Sequence, residues 1–214
     1  MNQTAQSDRP LVLIVDDDAE VRNSIEELMQ SVGIDAVGFA STHELMAASL
    51  SERPGCLILD VRMPGYSGLD LQNQLAASGN AKPIIFVTGH GDIPMSVQAM
   101  KAGAIDFLTK PFRDQALLDA VSAGIDLDRA QRVEAERVRR QAERYATLTT
   151  REREVLREVT RGRLNKQIGY DLGISEVTVK LHRSSVMRKM QATSLGELIG
   201  AWNLLPCTLR QMAA

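Results

Sequence analysis

The stretch Cys56-Leu57-Ile58-Leu59-Asp60-Val61-Arg62-Met63-Pro64-Gly65 decides the fold. An apolar run enters one carboxylate, and Pro64 and Gly65 then break the chain. A short apolar run between turn signals fits a strand buried on both faces, as parallel sheets require. Asp60 then stands at the strand's carboxyl end, where open α/β sheets bind ligands. Alone, that carboxylate reads equally well as a helix cap or a turn residue.

The neighbouring chain repeats the pattern. Leu11 to Val15 is a second apolar run, and it ends in Asp16-Asp17-Asp18. Val21, Ile25, Leu28, Met29 and Val32 follow at helical spacing, and Gly33 ends that helix. Asp35 to Phe39 reads as a strand, and Ser41 with Glu44 opens a helix at capping-box spacing. Ser67 caps a helix reaching about Ala77. Pro83 to Thr88 is a fourth strand, Ile93 to Lys101 a helix, and Ile105 to Leu108 a fifth strand before Thr109-Lys110-Pro111-Phe112. The fifth helix begins near Arg113. Strand and helix alternate, which predicts an α/β domain: a doubly wound, five-stranded parallel sheet. Its carboxyl edge would collect Asp16, Asp17, Asp60, Thr88 and Lys110.

Clustered carboxylates repel and call for a cation, and hard oxygen donors favour Mg²⁺. A divalent ion beside a carboxylate and a lysine suits phosphoryl transfer, with the carboxylate as nucleophile. No G-x-x-x-x-G-K-[ST] cradle is present, which argues against bound ATP as the donor.

Composition divides the chain. Of 214 residues, 44% are hydrophobic and 24% charged, ordinary for a globular protein. Residues 1–123 hold 8 basic and 16 acidic side chains; residues 147–214 hold 11 and 6. An acidic front and a basic back suggest different partners, nucleic acid among them for the back. No signal peptide and no membrane-length apolar run is evident, so a cytoplasmic location without membrane contact is expected. Cys56 and Cys207 are expected as free thiols.

Residues 124–146 are rich in Arg, Glu, Ala and Gln and predict a helix continuing the fifth, read as a solvated spacer ahead of a dimer seam because Ile125, Val133 and Val138 are sparse for a coiled coil. The pairs Arg132/Glu136 and Glu136/Arg140 support it, and Arg140/Arg144 repels. Beyond it, Thr149 and Glu152 start a helix, Asn165 caps a second, Ser175 a third reaching Met190, and Ser194 or Thr193 a fourth. A short helix, a turn at Gly173 and a longer basic helix fit a helix-turn-helix. On the third helix Lys180, Leu181 and Ser184 share one face, flanked by Arg183 and Arg188, with Val179, Val186 and Met190 opposite.

Two sets of residues resemble known families. Val15-Asp16-Asp17, Leu59-Asp60 with Met63-Pro64-Gly65, Thr88-Gly89-His90-Gly91-Asp92 and Lys110-Pro111-Phe112 resemble the receiver domain of two-component response regulators. Asn165-Lys166-Gln167-Ile168 and Ser175 to Arg183 resemble the LuxR-type helix-turn-helix of the NarL/FixJ family. Gly89 to Pro94 is similar to the FixJ branch. The resemblance implies a flavodoxin-like sheet order of 2-1-3-4-5, the order of receiver proteins. It implies that Asp60 accepts a phosphoryl group from a sensor histidine kinase. Asp17, Asp60 and the Arg62 backbone carbonyl would hold Mg²⁺, with Asp16 acting through water. Lys110 would meet the phosphoryl oxygens, Thr88 would bond one of them, and Thr88 and Phe107 would form the switch. Phe107 departs from the Tyr common at that position and has no hydroxyl. The Lys110–Pro111 bond would be cis.

The resemblance also sends the Lys180, Leu181 and Ser184 face into the major groove. Lys180 could read a guanine or touch phosphate; both readings stand here. Lys166, Thr178, Arg183 and Lys189 are candidate backbone contacts, with Arg188 beside them. The expected organisation is a disordered 1–10, a receiver over 11–123, a helical linker over 124–146, an all-α four-helix DNA-binding domain over 147–205, and a tail over 206–214. The expected function is a non-enzymatic response regulator whose phosphorylation promotes homodimerisation, promoter DNA binding and transcription control with RNA polymerase. The alternative is a phosphorylation-independent regulator whose receiver is a protein- or ligand-interaction module.

Overall fold

A computed structural model describes residues 9–48, 53–63, 67–78, 82–89 and 93–211. The chain divides into two units, Met1–Gln131 and Arg132–Ala214. In the first, strands β1 (Leu11–Val15), β2 (Asp35–Phe39), β3 (Leu57–Asp60), β4 (Ile84–Thr88) and β5 (Asp106–Thr109) form one parallel sheet ordered β2-β1-β3-β4-β5. Helices α1 (Ala19–Ser31), α2 (Thr42–Ala47), α3 (Gly68–Ser78), α4 (Ile93–Lys101) and α5 (Asp114–Ala146) alternate with them.

The three central strands β1, β3 and β4 are buried along their length and apolar up to their carboxyl ends because both faces are covered, with a period of two, while the edge strands β2 and β5 are only partly buried. Leu11, Leu13, Val15, Leu57, Leu59, Ile84 and Phe86 join Leu45, Leu71, Leu75 and Ala99 of α2, α3 and α4 in one core. Val12, Ile14, Ile58, Ile85 and Val87 join Ile25 and Met29 of α1 and Leu117, Val121 and Ile125 of α5 in the other. Pairing Val15 with Leu59, Asp60 with Val87, and Thr88 with Thr109 aligns the carboxyl ends along one edge. The fifth strand lies one residue later than its apolar run suggests: Ile105 sits just before β5, its N–H bonded to the Ile84 carbonyl at 2.8 Å.

Helix α5 continues for 33 residues, as its composition predicts. It is not solvated throughout. Within the first unit Ile125 and Asp128 are buried, and Asp128 accepts the Gly55 N–H at 2.8 Å. Lys82, also buried, lies 3.9 Å from Asp128 and donates to the Arg53 carbonyl at 2.7 Å. Within the second unit Gln141, Tyr145 and Leu148 are buried at i, i+4, i+7 spacing. The solvated spacer is found over 129–140, where no residue is buried, and is corrected at both ends, where Ile125 and the Tyr145/Leu148 pair carried the signal. Glu136 pairs with Arg140 at 2.7 Å and Arg139 at 2.5 Å, while Arg144 turns to Gln191 at 2.5 Å.

The second unit continues through α6 (Thr150–Thr160), α7 (Asn165–Leu172), α8 (Glu176–Met190), α9 (Leu195–Asn203) and α10 (Cys207–Gln211). Val155, Leu156, Val159, Ile168, Val179, Val186, Met190 and Leu198 form its core with Tyr145 and Leu148. Thr149 and Glu152 complete a capping box, and Ser175 and Ser194 cap α8 and α9. Asn165 is not the cap of α7. That position is Leu164, and the Asn165 side chain instead accepts from Arg183 at 2.8 Å. Gly173, at φ 64°, makes the left-handed turn between α7 and α8. The expected tail contains the short helix α10.

Gly55 sits where the chain enters the sheet beside β1. A Cβ there would lie 1.8 Å from the Leu11 carbonyl oxygen, so the backbone itself would have to move. Gly55→Ala should cost about 2–3 kcal/mol, read as a lowered urea midpoint of the first unit.

Candidate functional site

The carboxyl edge of the sheet assembles the predicted acidic cluster. Asp16 follows β1, Asp60 ends β3, Thr88 ends β4 and Lys110 follows β5. Asp16 and Thr88 are 2% and 1% exposed, Asp60 is buried, and Asp17 is open to solvent. Carboxylate oxygens of Asp16, Asp17 and Asp60 all lie within 4.8 Å of one another. The Lys110 ammonium donates to Asp16 at 2.5 Å and to Asp60 at 3.0 Å.

Backbone geometry fixes these groups. The Lys110 N–H donates to the Thr88 carbonyl at 2.8 Å, and the Lys110–Pro111 bond is cis. Asp16 accepts the Asp18 N–H at 3.0 Å, and its own carbonyl accepts from Arg22 at 2.6 Å. Asp18 caps α1 through the N–H groups of Glu20 and Val21. The Arg62 N–H donates to Asp60 at 3.1 Å, placing the Arg62 peptide beside the cluster. Arg22 was not singled out from sequence; its position six residues after Asp16, on α1's first turn, gave no local signal. Pro64, Gly65, His90, Gly91 and Asp92 of the sequence motifs lie outside the described residues.

Burial pushes the Asp16 carboxyl above its usual range, against the pull of the Lys110 hydrogen bond. Burial disfavours the Lys110 charge, yet its bonds to Asp16 and Asp60 outweigh this and raise its pKa. The arrangement is an anionic, oxygen-rich pocket with one cation spanning two of its carboxylates. Oxygen donors at this spacing fit a hard divalent ion better than a soft one. Phe107 of β5 is half-buried and packs on Phe86 with ring centroids 6.3 Å apart.

In the second unit, α8 exposes Val177, Lys180, Leu181, Ser184 and Arg188. Val177 was not among the predicted contacts, although it precedes Leu181 by one helical repeat and is 67% exposed. Lys180 pairs with Glu176 at 3.2 Å, and Lys166 of α7 is exposed. Thr178 bonds the Ser175 hydroxyl at 2.8 Å, and Arg183 is held by Asn165. Lys189 is placed differently from its expected role. It donates to Glu152 at 2.6 Å and to the Thr147 carbonyl at 3.1 Å, so it ties α8 to the start of α6. Burial raises the Glu152 pKa, but the bonds from Lys189 and Thr149 prevail and hold it below the usual carboxylate range.

Comparison with known proteins agrees with both halves. Residues 12–122 match the response regulator receiver domain, and residues 146–201 match the bacterial regulatory proteins of the luxR family. Nodulation protein W of Bradyrhizobium diazoefficiens is 48% identical over 92% of this chain and 86% of its own length. The transcriptional regulatory protein FixJ of Azorhizobium caulinodans is 44% identical over 88% of this chain and 89% of its own. The structure of the response regulator StyR superposes with a TM-score of 0.79 at 46% identity, covering 91% of this chain and 98% of that one. A receiver sheet with its acidic edge, joined to a LuxR-type helix-turn-helix, defines a transcriptional response regulator. The chain belongs to the NarL/FixJ family.

Replacing Lys110 by Met removes the cation that lowers the Asp16 pKa. The Asp16 carboxyl pKa should rise further, measured by carbon-detected NMR titration. A carboxyl whose folded pKa exceeds its unfolded value contributes stability below the unfolded pKa and loses it as pH rises through the folded one. Asp16 in the variant should therefore add a loss of stability with rising pH, extending to higher pH than in the wild type.

Proposed function

We propose that Asp60 is the phosphoacceptor and that its modification controls DNA binding by α8. The observation that carries this is Lys110 bridging Asp16 and Asp60 at 2.5 and 3.0 Å at the open edge of the sheet. An Asp60 carboxylate oxygen attacks the phosphorus of a phosphohistidine on a sensor kinase. The new O–P bond forms as the N–P bond breaks, and the histidine nitrogen keeps the electron pair. Lys110 neutralises the phosphoryl oxygens, and the Thr88 hydroxyl bonds one of them. Asp17, Asp60 and the Arg62 carbonyl would hold Mg²⁺, with Asp16 supporting it through water. When bound, the ion would neutralise charge on the transferring oxygens.

The added charge biases a two-state element. Thr88 is drawn towards the phosphoryl group, and Phe107 moves into the space it leaves. Having no hydroxyl, Phe107 acts by packing alone. The receiver face of α4, β5 and α5 then dimerises; Ile93 at 79% exposure, with Val97 and Met100, supplies uncovered apolar surface on α4. Pairing two helix-turn-helix units raises affinity for paired half-sites through effective concentration. In this reading the protein works in the cytoplasm without catalytic turnover, and its output passes to RNA polymerase.

On the DNA side, Lys180, Leu181 and Ser184 face the major groove, and Lys166, Thr178, Arg183 and Arg188 serve the backbone. Lys189 is left out of this set because Glu152 and Thr147 hold it.

Light scattering in Mg²⁺, before and after beryllofluoride, tests the receiver half. The wild type should pass from monomer to dimer and Asp60→Asn should not. Failure of a proven modified site to dimerise would remove dimerisation from the mechanism; failure of Asp60 to be modified at all would favour the interaction-module reading. For the DNA half, Lys166→Ala should lower the slope of log K against log salt by about one. An unchanged slope would remove Lys166 from the backbone contacts.

A further inference from the structure

The second unit holds a small pocket that the phosphorelay does not use. It has a volume of about 400 Å³ and is lined by Arg157, Thr160 and Arg161 of α6, Trp202 of α9, and Cys207 and Arg210 of α10. Three arginines are among its lining residues, and no acidic residue is among the described ones. The nearby acid is Glu158, which is buried and already shared: Arg157 reaches it at 3.2 Å, Arg161 at 2.8 Å and Arg163 at 3.2 Å. Positive charge therefore exceeds negative charge around the cavity.

Arg210 is the least satisfied of these groups. Its Nε is buried with no hydrogen-bond partner among the described residues. Another of its nitrogens donates to the Cys207 sulfur at 3.1 Å, a weak acceptor. A guanidinium presents a planar fork of donors that matches two oxygens of one carboxylate or phosphate. Among the described residues the terminal nitrogens of Arg210 meet only that sulfur, and an oxyanion in the pocket would supply a stronger acceptor for them. The ordinary alternative, arginines neutralising the carboxyl end of α6, accounts for Arg157 and Arg161. It leaves Arg210 unexplained, because Arg210 comes from a different helix. Trp202, packed edge-on against Tyr145 at 6.2 Å, gives the cavity one rigid apolar wall.

We propose that this pocket binds a small oxyanion, a carboxylate or a phosphate, held by Arg210 and Arg161 against Trp202. The binding is independent of Asp60 and of the phosphoacceptor reading. It gives the DNA-binding unit a ligand site of its own.

Trp202 is the single tryptophan of the chain, so its emission reports on the site directly. The full-length protein is titrated with inorganic phosphate and, separately, with citrate, at ionic strength held constant with chloride. Wild type, Arg210→Gln, Arg161→Gln and Arg139→Gln are compared, each checked for native circular dichroism. The expected result is a saturable change in the wild type with at least one anion. Binding should weaken tenfold or more in Arg210→Gln and Arg161→Gln. Arg139→Gln, which removes the same charge from an exposed site on α5, should match the wild type. Saturation by one anion alone identifies which oxyanion class the pocket takes. A merely linear response, or equal binding in Arg210→Gln, overturns the proposal. So does a response to duplex DNA with none to either anion, which would make these arginines backbone contacts. Should Arg210→Gln fail to fold, Arg161→Gln, which alters a largely exposed side chain, decides the matter.

Discussion

The first unit's chemistry depends on one ammonium group. Lys110 spans Asp16 and Asp60, and without a cation these buried carboxylates would repel across a short gap. Everything that positions Lys110 thus bears on the site: its N–H on the Thr88 carbonyl, and the pairing of Thr88 with Thr109 that brings the end of β5 alongside β4. The sheet serves this arrangement. Parallel strands covered on both faces bring four chain segments to one edge, and a polar cluster at the end of a rigid apolar sheet keeps its geometry.

In the proposed function the same lysine would make the site responsive. Its two carboxylate partners are close enough that a new phosphoryl charge on Asp60 would compete with Asp16 for it. Thr88 and Phe107 stand on the two adjacent strands, with Phe107 packed against Phe86 in the sheet's core. A shift at the edge would therefore be felt as a packing change beneath it, because close-packed interiors do not deform smoothly.

In the second unit, ion pairs divide labour among the basic residues. Lys189 is committed to Glu152 and builds the domain, Arg183 is hydrogen-bonded to the neutral Asn165 and keeps its charge, and Lys166 and Arg188 stay exposed. Charge alone does not separate these roles. Arg157, Arg161 and Arg163 converge on the single buried Glu158, so the number of arginines overstates the charge available to DNA. Arg210 stands outside that network.

Much was legible in the sequence because strong local signals agreed. Apolar runs such as Leu11–Val15 and Leu57–Asp60 have no other good use than buried strands, and carboxylates at their ends must share an edge once the strands are parallel. Capping at Thr149, Ser175 and Ser194 is likewise local, and the structure keeps it. What only the tertiary structure decided concerns groups whose partners are far away in the chain. Asp128 is buried because Gly55 and Lys82 meet it, Lys189 is tied down by Glu152, and Asn165 serves Arg183 rather than capping α7. A long polar side chain has many possible partners, and sequence spacing ranks only those within one or two helical turns. Distant pairings are chosen by which backbone segments the folded cores bring together, and that choice is made in three dimensions.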